Sequence, residues 1–331
     1  MSPLSKSSLE MIKYGASVNR QENLRIEFRD GVGELLAGVS VWYSNTPTYN
    51  GLPVAFLGNY KTRSRASGIE ILHLAEAEIE KLAINKKLDR KIEYLVGPVN
   101  GNTFKEYRLV TSGFDSPPFA LENFTARDLP GHFIAAGYQS IATYSSSILP
   151  PSTKIPGDDK ELATSGITIR NFRMEEADRE LSRLYKITSE AFENNFLYSP
   201  ISQEEFKEMY KPVLPLIDPQ FLFIAEKDGR AVGYLFAIDD RKGGGKRDNC
   251  LVIKTLARCP EESLNRAGIG RNLVRICHDK ARKRGYGSII HALYKSDNRS
   301  GCFSTLSGAQ VFRQYALYAK RLHKEGGEGL C

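Results

Sequence analysis

LVIKTLARCPEESLNRAGIGRNL, residues 251–273, decides how this chain reads. Its first part, Leu251 to Ala257, is an apolar run of strand length, ended by Pro260. Its second part carries Gly268 and Gly270 and runs directly into a segment where Leu273, Ile276, Cys277 and Ala281 recur at helical spacing. Gly285 supplies the stop, and Lys283 and Arg284 suit the negative end of a helix dipole. The predicted unit is therefore strand, glycine loop, helix. The first turn of such a helix has unpaired backbone N–H groups, and glycines let an anion approach them closely. Arg266 and Arg271 add positive charge beside the loop. An ordinary turn with two glycines would look the same, so spacing alone leaves both readings open. Two other phosphate motifs do not fit. Gly245 and Lys246 are followed by Arg247, where a Walker loop needs Ser or Thr, and no third glycine completes a dinucleotide fingerprint.

The segment resembles motif A of the GCN5-related N-acetyltransferase (GNAT) superfamily, whose Q/R-x-x-G-x-G/A loop holds the coenzyme A pyrophosphate. The pattern falls on Asn265, Arg266, Ala267, Gly268, Ile269 and Gly270, with Asn265 departing from the family's Gln or Arg. The resemblance implies that Leu256 and Ala257 offer strand hydrogen bonds to the thioester arm. It also implies that Ala267, Ile269 and Arg271 belong to the loop contact and that Asn298 meets the coenzyme. It implies a fold of the α/β (α+β) class, a mixed, mostly antiparallel twisted sheet flanked by helices.

Element order extends the resemblance to both halves. From Ile167 the pattern gives a strand, a helix over about 175–194, and a helix from Ser202, which forms a capping box with Glu205. A hairpin through Asp228 and Gly229, the motif above, and strands over 288–294 and 309–322 follow. Residues 24–148 repeat the scheme. Two strands joined by a turn at 29–32 lead to a strand over 53–60 and a long helix over 69–87. A strand over 91–99, a short helix over 129–138 and a closing strand over 139–148 complete it. At the junction where the glycine loop belongs stands KTRSRASG, residues 61–68, without paired glycines. Residues 1–19 read as a loose arm or short helix. The expected organisation is a degenerate GNAT-like domain at 1–150 without its own coenzyme site, a linker at 151–166 rich in breakers, and an acetyltransferase domain at 167–325.

Transfer to an amine needs a group to take its proton, an N–H for the developing oxyanion, and an acid for the leaving thiolate. The family's usual acid is a tyrosine two turns after the asparagine, but residues 301–305 read GCFST. Candidates for the proton work are His291 on the second motif strand, Asp239 at a strand end beside Asp240, and Tyr294, with Tyr315 a further phenol. His291 reads first as a structural strand histidine, and the two aspartates equally as turn carboxylates. His278 and His291 lack metal-ligand spacing to any partner, so no metal is expected.

Composition sets outer bounds. The chain has 331 residues, 41% hydrophobic, 26% charged, with a formal net charge of +7. That describes a globular chain of two-domain size with some preference for anionic ligands. Its basic residues are dispersed, which argues against nucleic acid as a partner. Five cysteines without a close pair, no apolar run of membrane length and no signal-like start point to a reduced, cytoplasmic protein. The expected activity is an acyl-CoA-dependent N-acyltransferase, most simply an acetyltransferase, acting on an unidentified amine. The protein would be a monomer with an internal pseudo-dimer, or a homodimer. A Fem-type aminoacyl-tRNA-dependent peptidyltransferase and a non-catalytic coenzyme A-binding module are the alternatives.

Overall fold

The computed structural model describes residues 10–15, 22–264, 267–296 and 308–322. In the first half, alternating and apolar runs form β1 (Glu10–Gly15), β2 (Leu24–Arg29), β3 (Leu35–Trp42), β4 (Thr48–Tyr49), β5 (Leu52–Thr62), β6 (Tyr94–Gly97), β7 (Leu109–Ser112) and β8 (Gln139–Leu149). Helices α1 (Arg65–Ile84) and α2 (Leu129–Ala135) pack on them. The turn after β2 is held by Asp30, whose Oδ1 accepts the backbone N–H groups of Val32 and Glu34. Ile71, Leu72, Ala75 and Ile79 recur along one face of α1 and are buried. The second half contains α3 (Asp159–Thr164), β9 (Ile167–Asn171), α4 (Ala177–Phe192), α5 (Gln203–Tyr210), β10 (Leu222–Lys227), β11 (Arg230–Asp239), β12 (Cys250–Arg258), α6 (Ile269–Lys283), β13 (Ser288–Lys295) and β14 (Gln310–Arg321). Ser202 caps α5 as its sequence predicts, accepting the Glu205 N–H at 3.0 Å.

All but β4 and β7 line up in one mixed sheet, ordered β1-β2-β3-β5-β6-β14-β8-β13-β12-β11-β10-β9. The described helices flank it. Pairing is antiparallel except for β5 with β6 and β12 with β13. These two parallel pairs sit at equivalent places in the two halves. Each half has its own core, Ile71, Leu72, Leu95 and Phe133 in the first, Leu235, Leu273, Ile289 and Ile290 in the second.

Three expectations change. The N-terminal arm contains strand β1, paired with β2 in unbroken register from Glu10 with Arg29 to Gly15 with Leu24. The linker contains α3, because Asp158 caps it through the Lys160 N–H and Leu162 is buried against the second core. The closing strands do not stay with their own halves. β8 pairs with β13 of the second half, and β14 pairs with β6 of the first, while β8 and β14 pair with each other at the centre. Hydropathy marks both as strands but says nothing of which edge they choose.

Candidate active site

β12 and β13 run parallel only from Cys250 with Ser288 to Ile253 with His291. Beyond that point they part. Residues 255–258 stay with β11, while Tyr294 and Lys295 of β13 pair with Ser145 and Tyr144 of β8. Both sides of the split carry irregular register. On β12, Phe236 faces Thr255 and Ala237 faces Ile253, so Lys254 is the extra residue of a bulge. On β13, register shifts between His291 and Tyr294, where Leu293 adopts φ 59° and donates its N–H to Ser146 Oγ at 3.1 Å.

The split opens into a cavity of about 1100 Å³. Leu256, Ala257, Gly268, Ile269, Gly270, Arg271, His291 and Tyr294 all line it, so most of the residues singled out in the sequence share one space. Ala267 is buried and does not line the cavity. Arg266 and Asn298 lie outside the described residues.

The glycine loop fits an anion. Gly268 takes φ 61° at the start of α6, and no side chain caps that end of the helix. A Cβ on Gly270 would meet nothing closer than Leu256 Cδ2 at 3.8 Å, which leaves its approach side open. Arg271 differs from expectation. Its guanidinium is ion-paired with Glu161 of α3, which also accepts from Asn272 Nδ2 at 3.1 Å. The linker helix thus sets a carboxylate beside the loop that was expected to be purely basic.

His291 and Asp239 do not suit the proton work expected of them. His291 is buried with its Nε2 3.0 Å from Nε2 of His278. Burial and the neighbouring His278 push it down to about 3, and burial pushes His278 down to about 4. A group so reluctant to take a proton is a weak base near neutrality. Asp239 is absent from the cavity wall. It lies at the end of β11 opposite Leu251, the far end of β12 from the split. Its carboxylate is taken by the Tyr286 hydroxyl at 3.0 Å and the Lys242 N–H at 3.1 Å. Its neighbour Asp240 is fully buried and structural. It accepts from the Ala120 N–H at 2.6 Å and the Arg247 N–H at 2.7 Å, tying the 113–122 loop of the first half to the second.

That loop brings in groups the sequence did not advertise. Lys254 Nζ donates to the Leu121 carbonyl at 2.8 Å and lies 5.3 Å from the centre of the Phe119 ring. Burial and then the charge of Arg108 push Lys254 down to about 7, with Glu122 opposing. The only hint in sequence was a lysine inside a run of strand hydrophobics. Glu122 is fully buried, ion-paired with Arg313 Nε at 3.0 Å, and accepts the Tyr315 hydroxyl and the Phe119 N–H. Tyr315 is pushed up by burial and by that carboxylate, so its proton stays on the Glu122 bond. Tyr294 and Tyr315 both line the cavity, and Tyr315 is the one engaged with Glu122.

A family model described as the acetyltransferase (GNAT) family matches residues 181–301, which include α4, the split strand β12 and α6. The chain contains a GNAT domain. A bacterial ceramide synthase from Caulobacter vibrioides (strain NA1000 / CB15N) is 26% identical over 165 residues. That match covers 45% of this chain and 42% of the relative, so it spans less than half of that protein's length. An Enterococcus faecalis V583 protein of unknown function, described as a probable N-acyltransferase, shares 13% identity at a TM-score of 0.51 over 91% of this chain and 62% of its own. A GCN5-related N-acetyltransferase from Sphaerobacter thermophilus gives a TM-score of 0.49 at 15% identity, over 92% of this chain and 82% of its own.

The first half repeats the split of the GNAT domain but fills it. β5 and β6 pair only from Val54 with Tyr94 to Phe56 with Val96. Beyond them, Val99 donates its N–H to the Leu57 carbonyl at 2.7 Å, and Asn100 Oδ1 accepts the Asn59 N–H at 2.6 Å. Residues 99–100 thus take strand hydrogen bonds that a thioester arm would use. The start of α1 is closed too. Ser64 caps it through the Ser67 N–H, and a Cβ on Gly68 would run into Tyr60 Oη and His132 Nδ1. Arg63, from the segment that stands where the glycine loop would be, is ion-paired with Glu34.

A trio of Glu190, Cys259 and Glu261 lies close enough to suggest a metal. Both carboxylates are ion-paired with Arg230, and burial first and then Glu190 push the Cys259 thiol up to about 12. A protonated thiol and two engaged carboxylates make a poor ligand set.

Proposed function

We propose that the protein transfers an acyl group from coenzyme A to an amine held in the cavity of its GNAT domain. The observation that carries this reading is the convergence of two features on one space. One is the uncapped, glycine-opened start of α6, the other the strand edge of β12 left without a β13 partner after Ile253. The first suits a pyrophosphate and the second an extended amide-bearing arm. Gly268 and Gly270 would hold the phosphates through backbone N–H groups, and Leu256 and Ala257 the arm. The first half, with its split filled, serves as a wall of the acceptor side.

Lys254 is the residue we assign to take the amine's proton. Its bulge aims the side chain into the cavity, one N–H is anchored on the Leu121 carbonyl, and a neutral amine still has its lone pair. Being pushed down to about 7, it is neutral often enough to act near physiological pH. Tyr294, on the cavity wall, would return a proton to the leaving thiolate. The cavity exceeds what an acetyl group needs, and Phe192, Phe206, Met209, Tyr210, Val213 and Phe236 give it an apolar side. That favours a longer acyl chain or an acceptor with an apolar body, in keeping with a relative named for ceramide synthesis.

The test has two parts. Titration calorimetry with acetyl-, octanoyl- and palmitoyl-CoA should give one site per chain. Thiol release should then depend on an added amine. Two equivalent sites, or no binding, would count against the reading. Binding without amine-dependent turnover would favour the non-catalytic module.

A further inference from the structure

We propose that Arg108 receives a carboxylate of the acceptor, making the substrate class of this site an amino acid or another amine that carries a carboxylate. This deepens the acyltransferase reading and rests on it.

Arg108 leads into β7 with φ 67°, a left-handed conformation uncommon for a residue with a side chain, and its N–H is held by the Pro98 carbonyl at 3.0 Å. The guanidinium sits 3.8 Å from the centre of the Tyr107 ring and 4.3 Å from that of Tyr144. The residue is only 7% exposed, lines the cavity, and its Nη1 has no hydrogen-bond partner among the described residues. Aromatic faces attract a cation but accept no in-plane N–H bond. The fold satisfies the fully buried Arg313 by different means. Arg313 is ion-paired with Glu122 and donates to the carbonyls of Gly113, Ser116 and Pro117. Arg313 also lies 4.7 Å from the centre of the Phe124 ring, but its guanidinium has carbonyl and carboxylate acceptors where Arg108 Nη1 has none.

Nearby charge is unbalanced in the same sense. Glu122 is committed to Arg313, Tyr315 and the Phe119 N–H, so it is not available to Arg108. Lys254 lies close enough for the two positive groups to feel each other. A planar, singly charged carboxylate matches a guanidinium edge that two rings hold in place.

Position decides which substrate carries it. Arg108 stacks on Tyr144 of β8, and β13 lies between β8 and β12. Two strand spacings, roughly 10 Å, therefore separate its stacking strand from the strand that would hold the thioester arm. The α6 loop packs on the β11–β12 side, where a Cβ on Gly233 would touch Ile269. The coenzyme phosphates and Arg108 thus fall on opposite sides of the reaction point, and Arg108 faces the acceptor.

The test compares glycine, β-alanine and phenylalanine with glycinamide, β-alaninamide and phenylalaninamide, amines differing in the charge of one group. Wild-type enzyme with acyl-CoA should favour at least one acid over its amide by roughly ten- to a hundredfold in kcat/KM. Arg108→Gln should collapse that ratio through KM for the acid, and Arg108→Lys should restore only part of it, with acyl-CoA affinity and melting temperature followed alongside. Equal use of every acid and its amide by the wild type would overturn the proposal without any variant. Retention of the ratio in a folded Arg108→Gln protein would also overturn it. Calorimetry of the same compounds with the wild type keeps the two readings apart. If acyl-CoA does not bind, the acyltransferase reading fails, and preference or indifference between acid and amide still decides the carboxylate site.

Discussion

At the scale of single residues, the proton chemistry we propose falls to a lysine that sequence patterning hides. Lys254 looks like a polar interruption in a strand, and only the bulge opposite Phe236 and Ala237 turns it into the cavity. Replacing it with Met should lower kcat by about 10²- to 10⁴-fold with little change in acyl-CoA affinity. In the wild type, kcat/KM should rise with pH through about 7, because the base must first lose its proton. A profile flat across that range would remove Lys254 from the role. His291 was legible as a candidate because histidines titrate near neutrality, but burial against His278 is a tertiary fact. Both imidazoles are pushed well below their ordinary 6.5, so the unfolded chain binds more protons than the folded one between about pH 3 and 6.5. Their contribution to stability is thus present above pH 6.5 and lost as pH falls towards 3. Denaturant midpoints measured over that range should decline on acidification. The decline should be shallower in a His278→Gln, His291→Gln double variant, whose turnover at pH 7.5 should stay within about tenfold if neither ring is the base.

Elements were more legible than residues. The strand, loop and helix of 251–283 follow from apolar runs, Gly268 and helical periodicity, all local signals. Glu161 was not, since it approaches Arg271 from a segment whose composition reads as linker. Its carboxylate stands beside the α6 start, where it competes with a phosphate for the same positive end. Glu161→Gln should therefore tighten acyl-CoA binding by about two- to fivefold. Gly270→Asp should act the other way. Open space around Gly270 lets the fold accept the side chain, while its charge should weaken binding by at least one to two orders of magnitude. Arg63→Ala, in the ion pair with Glu34, is the control that should leave affinity unchanged. Calorimetric affinities paired with melting temperatures check all three. A Gly270→Asp protein that binds as the wild type does would place the coenzyme elsewhere.

At the scale of the whole molecule, the sequence shows two similar halves but not how they join. Residues 139–149 and 310–321 are strands in either arrangement, and their exchange depends on edges more than a hundred residues away in sequence. Neither half is complete without the other. A chain ended at residue 150 lacks β14, one of the two partners of β6, and one begun at 151 lacks β8, one of the two partners of β13. We expect both truncated chains to be aggregated or poorly cooperative in thermal melts, and to recover a sharp transition only when combined. A sharp independent melt from either alone would show the exchange to be dispensable. The same exchange bears on how the chain comes off the ribosome. Leu95 and Val96 of β6 wait for Lys320 and Ala319, so the middle of the sheet is covered last. At about 5–20 residues per second, that edge stands bare for roughly 10–45 s of synthesis. During that interval the nascent chain offers a strand-hungry seam to its neighbours on the same message. Slowing translation late in the gene should therefore cost soluble yield, where a chain of two self-contained domains would tolerate it.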